Sequence, residues 1–208
     1  VKQYSDMPFL VELDTQSKDS HKPGKFLRAS QLESTSQIEN AEWKMFVIDQ
    51  NTGELAIPYG SVGHRWQKKK GEWNLKLEDS LTGKEISPVL NIDQAPQINT
   101  KLVSVEFPDF SVFEDNARLS RKVRVFEIMT KDGSRLVTTA FELMLAQYGV
   151  CRELDGDYPK NYDDPSLPYS PAWQEKFTGV SADTVIKFAR EWAVSANNSN
   201  GKCSVIIG

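Results

Sequence analysis

The two histidines are the first side chains to consider for proton transfer or metal binding, because imidazole titrates near neutral pH. His21 lies in a polar Ser-Lys-Pro-Gly context, which predicts a solvent-exposed ring without a functional role. His64 is set between Gly63 and Arg65. In a strand it would share one face with Trp66, which favours a structural histidine bonded to a backbone carbonyl over a site residue.

Four carboxylates crowd one loop of the chain, at Asp155, Asp157, Asp163 and Asp164. Such a density suggests Ca²⁺, which prefers oxygen ligands. The spacing does not match an EF-hand loop, and the intervening Pro159 and Lys160 dilute the negative charge. A cation site is therefore not the favoured interpretation of this loop.

The sequence lacks the short motifs of autonomous catalysis and of phosphate binding. It has no His-Glu-x-x-His or Cys-x-x-Cys ligand spacing, no Walker loop, no Gly-x-Gly-x-x-Gly and no Gly-x-Ser-x-Gly. Cys151 and Cys203 are too few for a disulfide scaffold, so unpaired thiols are expected. No metal or cofactor is expected to be bound by the chain alone.

Composition describes an ordinary soluble protein of 208 residues, with 26% charged and 39% hydrophobic residues. The net charge of −4 gives no reason to expect a nucleic-acid partner. The basic run at 68–70 lies between Trp66 and Trp73, and three solvated lysines explain it better than a nucleic-acid patch. No stretch approaches the roughly 20 apolar residues of a membrane span, and the start lacks the features of a signal peptide.

The first part of the chain, residues 1–135, is predicted to be rich in strands and turns. Segments 44–48 and 54–57 flank a turn with Gly53 at a left-handed position, which indicates a hairpin. Further strands are predicted at 61–66, 73–77, 102–107 and 123–128. An Asp-Gly turn ending at Gly133 then leads back into a strand at 135–138.

The second part, residues 136–208, is predicted to be helical. Thr139 with Glu142 forms a capping box, Gly149 ends that helix, and its core face is expected at Phe141, Leu145 and Tyr148. After a proline-rich loop at 161–171, two further helices are capped by Ser170 and Ser181, and Gly179 ends the first of these. The last has an apolar stripe expected to dock it, at Val185, Ala189, Trp192 and Ala196.

The fold class that follows is α/β, in the mixed α+β sense. A β-hairpin-rich N-terminal part joins a C-terminal helix and strand layer of the doubly wound type, with the last strand at 204–207. This apolar run meets Gly208 without a polar tail, and the first residue is Val1 rather than Met. The sequence is therefore expected to be a piece of a longer polypeptide.

Three groups of segments are distinctive and follow one order along the chain. They are Tyr4-Ser-Asp-Met-Pro-Phe-Leu-Val11; Lys25-Phe-Leu-Arg-Ala-Ser30 with Pro58-Tyr-Gly-Ser-Val-Gly-His-Arg-Trp66 and Gly71-Glu-Trp-Asn-Leu75; and Leu136-Val-Thr-Thr139 through Tyr148-Gly149 to Tyr169-Ser-Pro-Ala-Trp173, Thr178-Gly-Val180 and Val205-Ile-Ile-Gly208. Together they resemble the α (catalytic) subunit of respiratory nitrate reductase, a molybdenum oxidoreductase. The resemblance runs the whole length, and perchlorate, chlorate and ethylbenzene-oxidising relatives remain alternatives.

The resemblance implies a parent enzyme that holds molybdenum between two molybdopterin guanine dinucleotides, carries a 4Fe-4S cluster and reduces nitrate to nitrite. It also implies an iron–sulfur β subunit and a membrane γ subunit as partners. The metal-binding Asp and the cluster ligands of the family lie upstream of the matching segment, so no catalytic or metal residue is assigned here. Gly208 is the one cofactor-proximal candidate, since glycine lets backbone N–H groups approach a phosphate. His64 departs from the bulky apolar residue of the family, which argues against an essential role.

Two hypotheses about the function follow. The first is an internal segment of such a catalytic subunit, inactive alone, located with its parent on the cytoplasmic face of the membrane or facing outward as in some relatives. The second is a scaffolding module whose first part docks a partner subunit, with anchors at Trp43, Trp66 and Trp73, because aromatic residues are favoured at interface centres.

Overall fold

All the strands that the structure describes lie before residue 140. The computed structural model describes residues 2, 5–17, 19–58, 77–95, 97–112 and 117–205. Its strands, in chain order, are β1 Leu10–Ser17, β2 Ser20–Phe26, β3 Val47–Ile48, β4 Leu55–Ala56, β5 Lys101–Pro108, β6 Arg118–Thr130 and β7 Gly133–Thr139. The predicted strands at 61–66 and, except for Leu77, at 73–77 lie outside these residues.

Five of these strands form a sheet that closes on itself in the order β1-β2-β5-β6-β7. The pairing of β1 with β7, through Leu10 opposite Thr139 and Val11 opposite Thr138, completes the closure. All neighbours are antiparallel except β2 and β5, which run parallel over the pairs Ser20–Ser104 and His21–Val105. Closure pairs strands that would otherwise be sheet edges.

The predicted hairpins are confirmed, although one is shorter than expected. β3 and β4 pair antiparallel over two residues each, and Gly53 in their turn has a φ of 74°. β6 and β7 form the longer hairpin, in which Gly133 has a φ of 104°. Glycine takes these positive values without the steric cost of a Cβ, so both turns follow from local sequence.

The core has two main apolar clusters, and β1 and β6 contribute to both. One cluster includes Leu10, Leu27, Phe46, Ile48, Ile57, Val89, Ile92, Phe126, Ile128 and Val137. The other includes Val11, Leu13, Val105, Phe107, Val123, Val125, Leu143, Ala146, Leu154 and Tyr158. Successive strand residues point to opposite faces of a sheet, which is how one strand serves both clusters.

The described helices follow the predicted caps. They are α1 Ala140–Gln147, α2 Pro171–Thr178 and α3 Ala182–Asn198, with short 3₁₀ turns at Ala29–Gln31 and Ile92–Gln94. The side chains of Thr139, Ser170 and Ser181 each accept a hydrogen bond from the backbone N–H three residues later. These bonds satisfy backbone donors that the first turn leaves free.

The predicted core face of α1 is wrong. Glu142, Leu143 and Ala146 are buried, whereas Tyr148 is 60% exposed. The buried face of α1 includes a charged residue, Glu142, so a search for apolar residues alone does not find it. The Glu142 carboxylate pairs with an arginine. For the same reason Glu142 does not complete the expected capping box.

The stripe of α3 is also not buried as predicted: none of its residues is buried, and Ala189 is exposed. After α3, residues 201–205 are not in a strand, and 206–208 lie outside the described residues, so the final strand stays a prediction. The mixed α/β class, strand-rich first and helical afterwards, is confirmed. β7 crosses the expected boundary at 135 and 136, and that division also stays a prediction.

Among the described residues, none of the helices combines the length and apolar character that crossing a bilayer requires.

Candidate functional site

His21 is buried, with 7% of its surface exposed, so the prediction of a solvent-exposed ring is wrong. Its Nδ1 atom lies 3.3 Å from the carbonyl oxygen of Ser104 on β5. The short parallel pairing of β2 with β5 covers the ring, and this long-range contact has no signal in the residues around His21. His21 is a structural histidine here, whereas His64 lies outside the described residues.

The acidic loop uses its carboxylates to fix its own backbone and that of β6. Asp157 Oδ2 accepts a hydrogen bond from the Ser120 N–H at 2.7 Å. Asp164 accepts from the backbone N–H groups of Lys160 and Ser166, both at 2.9 Å, and from the Ser166 hydroxyl. Those hydrogen bonds, the Lys160 N–H first among them, lower the pKa of the Asp164 carboxyl to about 2.

A metal-binding arrangement is not found in the part of the chain that the structure describes, where no group of three or more His, Cys, Asp or Glu side chains converges. Cys151 and Cys203 are free thiols, as predicted from their number.

Gly208, Trp66 and Trp73 lie outside the described residues, and Trp43 is 53% exposed.

Arg121 on β6 is the central polar group of this region and was missed by the sequence analysis. Its side chain is fully buried. The guanidinium donates from Nε to the carbonyl of Asp157 at 2.8 Å and from Nη2 to that of Pro168 at 2.7 Å. From Nη1 it donates to the carbonyls of Ala146 and Gln147 at 2.6 and 2.9 Å. One side chain thus joins β6, the end of α1 and two positions, Asp157 and Pro168, in the loop between α1 and α2.

The environment of Arg121 explains how a buried cation is tolerated. Carbonyl groups at the C-terminal end of a helix lack intrahelical donors and carry partial negative charge, which suits a cation. The Tyr158 ring lies against the guanidinium, 5.2 Å from ring centroid to Cζ. Burial lowers the pKa of Arg121, and it raises that of Tyr158 to about 12 despite the opposing charge of Arg121.

A sequence signal for Arg121 exists in the alternation of β6. The strand buries Leu119, Arg121, Val123 and Val125, while Ser120 is exposed. An arginine inside an inward-facing series must find acceptors, because a buried charge without partners is costly. Gly156 permits the loop to supply one, since a Cβ there would lie 2.6 Å from the Ser120 carbonyl oxygen.

A buried ion pair connects α1 to the residues that follow it. Glu142 on α1 is fully buried and pairs with both terminal nitrogens of Arg152, one at 2.9 and one at 2.5 Å. Its Oε1 atom also accepts from the backbone N–H of Ile92 at 3.2 Å. Burial works to lower the pKa of Arg152, but the hydrogen bonds and charge of Glu142 outweigh it and the net shift is upward.

The four hydrogen bonds of the Arg121 guanidinium to backbone carbonyls form what we call the Arg121 clamp. Beyond this clamp the surface carries a row of aromatic rings, formed by Tyr148, Tyr169, Trp173 and Phe177, which we call the aromatic row. Successive ring centroids lie 6.0, 5.1 and 4.7 Å apart. Tyr148 and Phe177 are 60% and 61% exposed. The Arg121 clamp holds the row in place. Because the polar groups of the clamp are hydrogen-bonded to one another, the arrangement is suited to presenting a surface and not to proton transfer.

Comparison with known proteins relates the chain to one group. It is 36% identical over 207 residues to the nitrate reductase alpha chain of Bacillus subtilis (strain 168). It is 37% identical over 213 residues to the nitrate reductase alpha subunit of Mycobacterium tuberculosis (strain H37Rv), and 37% over 219 residues to the respiratory nitrate reductase 1 alpha chain of Escherichia coli (strain K12). Each match covers 100% of this chain. No protein-family model matches the chain.

The chain spans only 16 to 17% of the length of these curated relatives. The class of protein that they define is the alpha chain of an oxidoreductase. The chain is similar over its whole length to nitrate reductase alpha chains, as the resemblance of its segments predicted. A match over the whole chain and a small share of each relative supports the expectation of an internal segment.

Proposed function

We propose that the chain is an internal segment of the catalytic subunit of a molybdenum-dependent respiratory nitrate reductase, which reduces nitrate to nitrite. The observation that carries the proposal is the match along the whole chain at 36 to 37% identity to alpha chains bearing that name. Within such a subunit the segment serves as scaffold: its barrel and the Arg121 clamp hold a surface in place. Alone, the segment is inactive.

The cofactors of the parent would be molybdenum bis(molybdopterin guanine dinucleotide) and a 4Fe-4S cluster. The cysteines of the chain do not fit the cluster. A cluster of this kind takes four cysteines, whereas the chain has two, Cys151 and Cys203, and both are free. Ligation of the cluster therefore belongs to other parts of the parent polypeptide. Gly208 remains our one proposed residue near a dinucleotide phosphate.

The partners proposed are the remainder of the catalytic subunit, an iron–sulfur β subunit and a membrane γ subunit, with nitrate as substrate and no nucleic acid. Through those subunits the parent would lie peripherally on the cytoplasmic face of the membrane, or outward in some relatives. The division of the chain at 135 and 136 into a strand-rich and a helical part is retained as part of the proposal.

A second candidate function is a non-catalytic module that docks a partner subunit through the first part of the chain. The observation in its favour is the exposure of Trp43, of which 53% is accessible. The backbone carbonyl of Trp43 is fixed by the Arg28 guanidinium at 2.8 Å, so the segment that carries this ring is held in place.

The experiment that tests the proposed function is expression of the longer polypeptide containing this sequence, followed by assay of oxyanion reduction with a reduced dye. We expect nitrite from nitrate, with molybdenum bound. A polypeptide that reduces perchlorate or chlorate in preference to nitrate, or oxidises a hydrocarbon, would favour the other members of the family. Absence of molybdenum and of any redox activity would favour the docking module.

A further inference from the structure

We propose that the outer apolar face of α3, together with the adjoining end of the aromatic row, is a docking surface covered by the remainder of the alpha polypeptide. The proposal rests on the proposed function and names the surface through which the segment packs into its parent. We call this surface the α3 face and define it by Phe177, Val185, Phe188, Ala189 and Trp192.

The α3 face is apolar and accessible in the described chain. The 17-residue helix α3 has no buried residue, and neither has α2. Phe177 and Phe188 are 61% and 60% exposed. The rings of Phe188 and Trp192, one turn apart, lie 6.0 Å from centroid to centroid and extend the apolar surface along the helix. α3 packs chiefly on α2, so much of its stripe stays open.

The opposite side of α3 has the character of a solvated surface. Lys187 and Glu191 are highly exposed and form an ion pair at 4.0 Å, one helical turn apart. Arg190 and Asp183 are exposed as well. A helix of this kind, charged on one side and apolar on the other, owes most of its stability to packing of the apolar side. The α3 face therefore requires a cover.

The remainder of the same polypeptide fits the α3 face better than a second copy of the chain does. More than four-fifths of each relative lies outside the match, and the match includes α3. One face of a helix of this length is about 25 Å long and about 10 Å wide. That is roughly 250 Å², well below the roughly 800 Å² per partner of a stable complex. Cover from the same polypeptide avoids the association cost that a small interface between separate molecules must overcome.

Thiol accessibility tests the proposal in the 208-residue chain and in the longer polypeptide. In a Cys151→Ser/Cys203→Ser background, Phe188→Cys reports on the α3 face and Arg190→Cys is the matched control on the charged side. The reaction rate with a water-soluble maleimide is measured for each. A further variant, Phe177→Cys, repeats the measurement beside α3.

In the 208-residue chain we expect Phe188→Cys and Arg190→Cys to react at similar rates. In the longer polypeptide the Phe188→Cys rate should fall at least ten-fold while that of Arg190→Cys changes less than two-fold. Equal Phe188→Cys rates in both proteins would overturn the proposal. Protection that rises with concentration of the 208-residue chain alone would also overturn it, in favour of a second copy.

The same preparation separates this proposal from the proposed function. A longer polypeptide that reduces nitrate while Phe188→Cys remains fully reactive would disprove the docking surface and leave the function standing. A polypeptide that protects Phe188→Cys but holds no molybdenum and reduces no nitrate would disprove the function and leave the docking surface standing.

Discussion

Arg121 donates a hydrogen bond from Nη2 to the carbonyl oxygen of Pro168 at 2.7 Å, across 47 positions of sequence. The contact joins a strand of the barrel to the loop that leads into α2. Because the same guanidinium also bonds the carbonyls of Ala146 and Gln147, the aromatic row is positioned from within the barrel.

Replacing Arg121 with Met should destabilise the chain by about 3 kcal/mol or more, because it leaves several buried carbonyls without a donor. Urea unfolding followed by circular dichroism measures the change. Arg118→Met on the same strand is the control, since Arg118 is exposed and should change stability by no more than about 0.5 kcal/mol. Equal effects of the two substitutions would show that the clamp does not stabilise the fold.

The pair of Glu142 and Arg152 should behave as a coupled unit. Glu142→Gln or Arg152→Met alone leaves a buried charge without its partner and should cost about 3 kcal/mol. The double variant should cost less than the sum of the two, with a coupling energy of about 1–3 kcal/mol. A double-mutant cycle by urea unfolding measures it, and simple additivity would contradict the pairing seen in the structure.

Tyr158 should limit stability at alkaline pH. Its pKa is raised in the folded state to about 12, so its contribution is complete below the ordinary value near 10 and is lost as the pH rises towards 12. Its hydroxyl also donates to the Lys122 carbonyl at 3.0 Å, a bond that the phenolate cannot make. Thermal unfolding between pH 9 and 12 should show a steeper fall in the wild type than in Tyr158→Phe. The exposed Tyr162→Phe, as control, should keep the wild-type slope; if it flattens the profile equally, the assignment fails.

The Asp164 carboxyl should stay ionised to unusually low pH. Its folded-state pKa is depressed to about 2, so the hydrogen bonds that it accepts are present above the ordinary value near 4 and weaken as the pH falls through 2. Carboxyl-carbon resonances followed by nuclear magnetic resonance give the midpoint directly. Ser166→Ala removes one donor and should raise it, whereas an ordinary midpoint in the wild type would mean that the loop is not held as described.

Local signals in the sequence predicted local structure well. The turns at Gly53 and Gly133 and the caps at Thr139, Ser170 and Ser181 each depend on residues within four positions, and all are present in the structure. Closure of the barrel depends on the pairing of β1 with β7 and of β2 with β5, more than 80 positions apart for His21 and Ser104. The residues around His21 carry no signal for that pairing, so the sequence does not predict the burial of His21.

The sequence does not predict most of the candidate site, because its key groups are polar residues at inward positions where apolar residues are expected. Arg121 occupies an inward position of β6, and Glu142 occupies the inner face of α1. A search for apolar stripes passes over both. The sequence predicts the stripe of α3 and its burial within this chain, whereas no residue of the helix is buried among the described residues. The similarity to nitrate reductase alpha chains is indicated by segments whose order along the chain is distinctive.

We propose that this chain is a scaffold segment of a nitrate reductase catalytic subunit and carries no redox chemistry alone. The purified 208-residue chain should be assayed for bound molybdenum by mass spectrometry and for nitrite formation from nitrate with a reduced dye, beside the longer polypeptide that contains it. We expect neither metal nor nitrite from the chain, and both from the longer polypeptide. Stoichiometric molybdenum together with nitrite formation by the isolated chain would overturn the proposal.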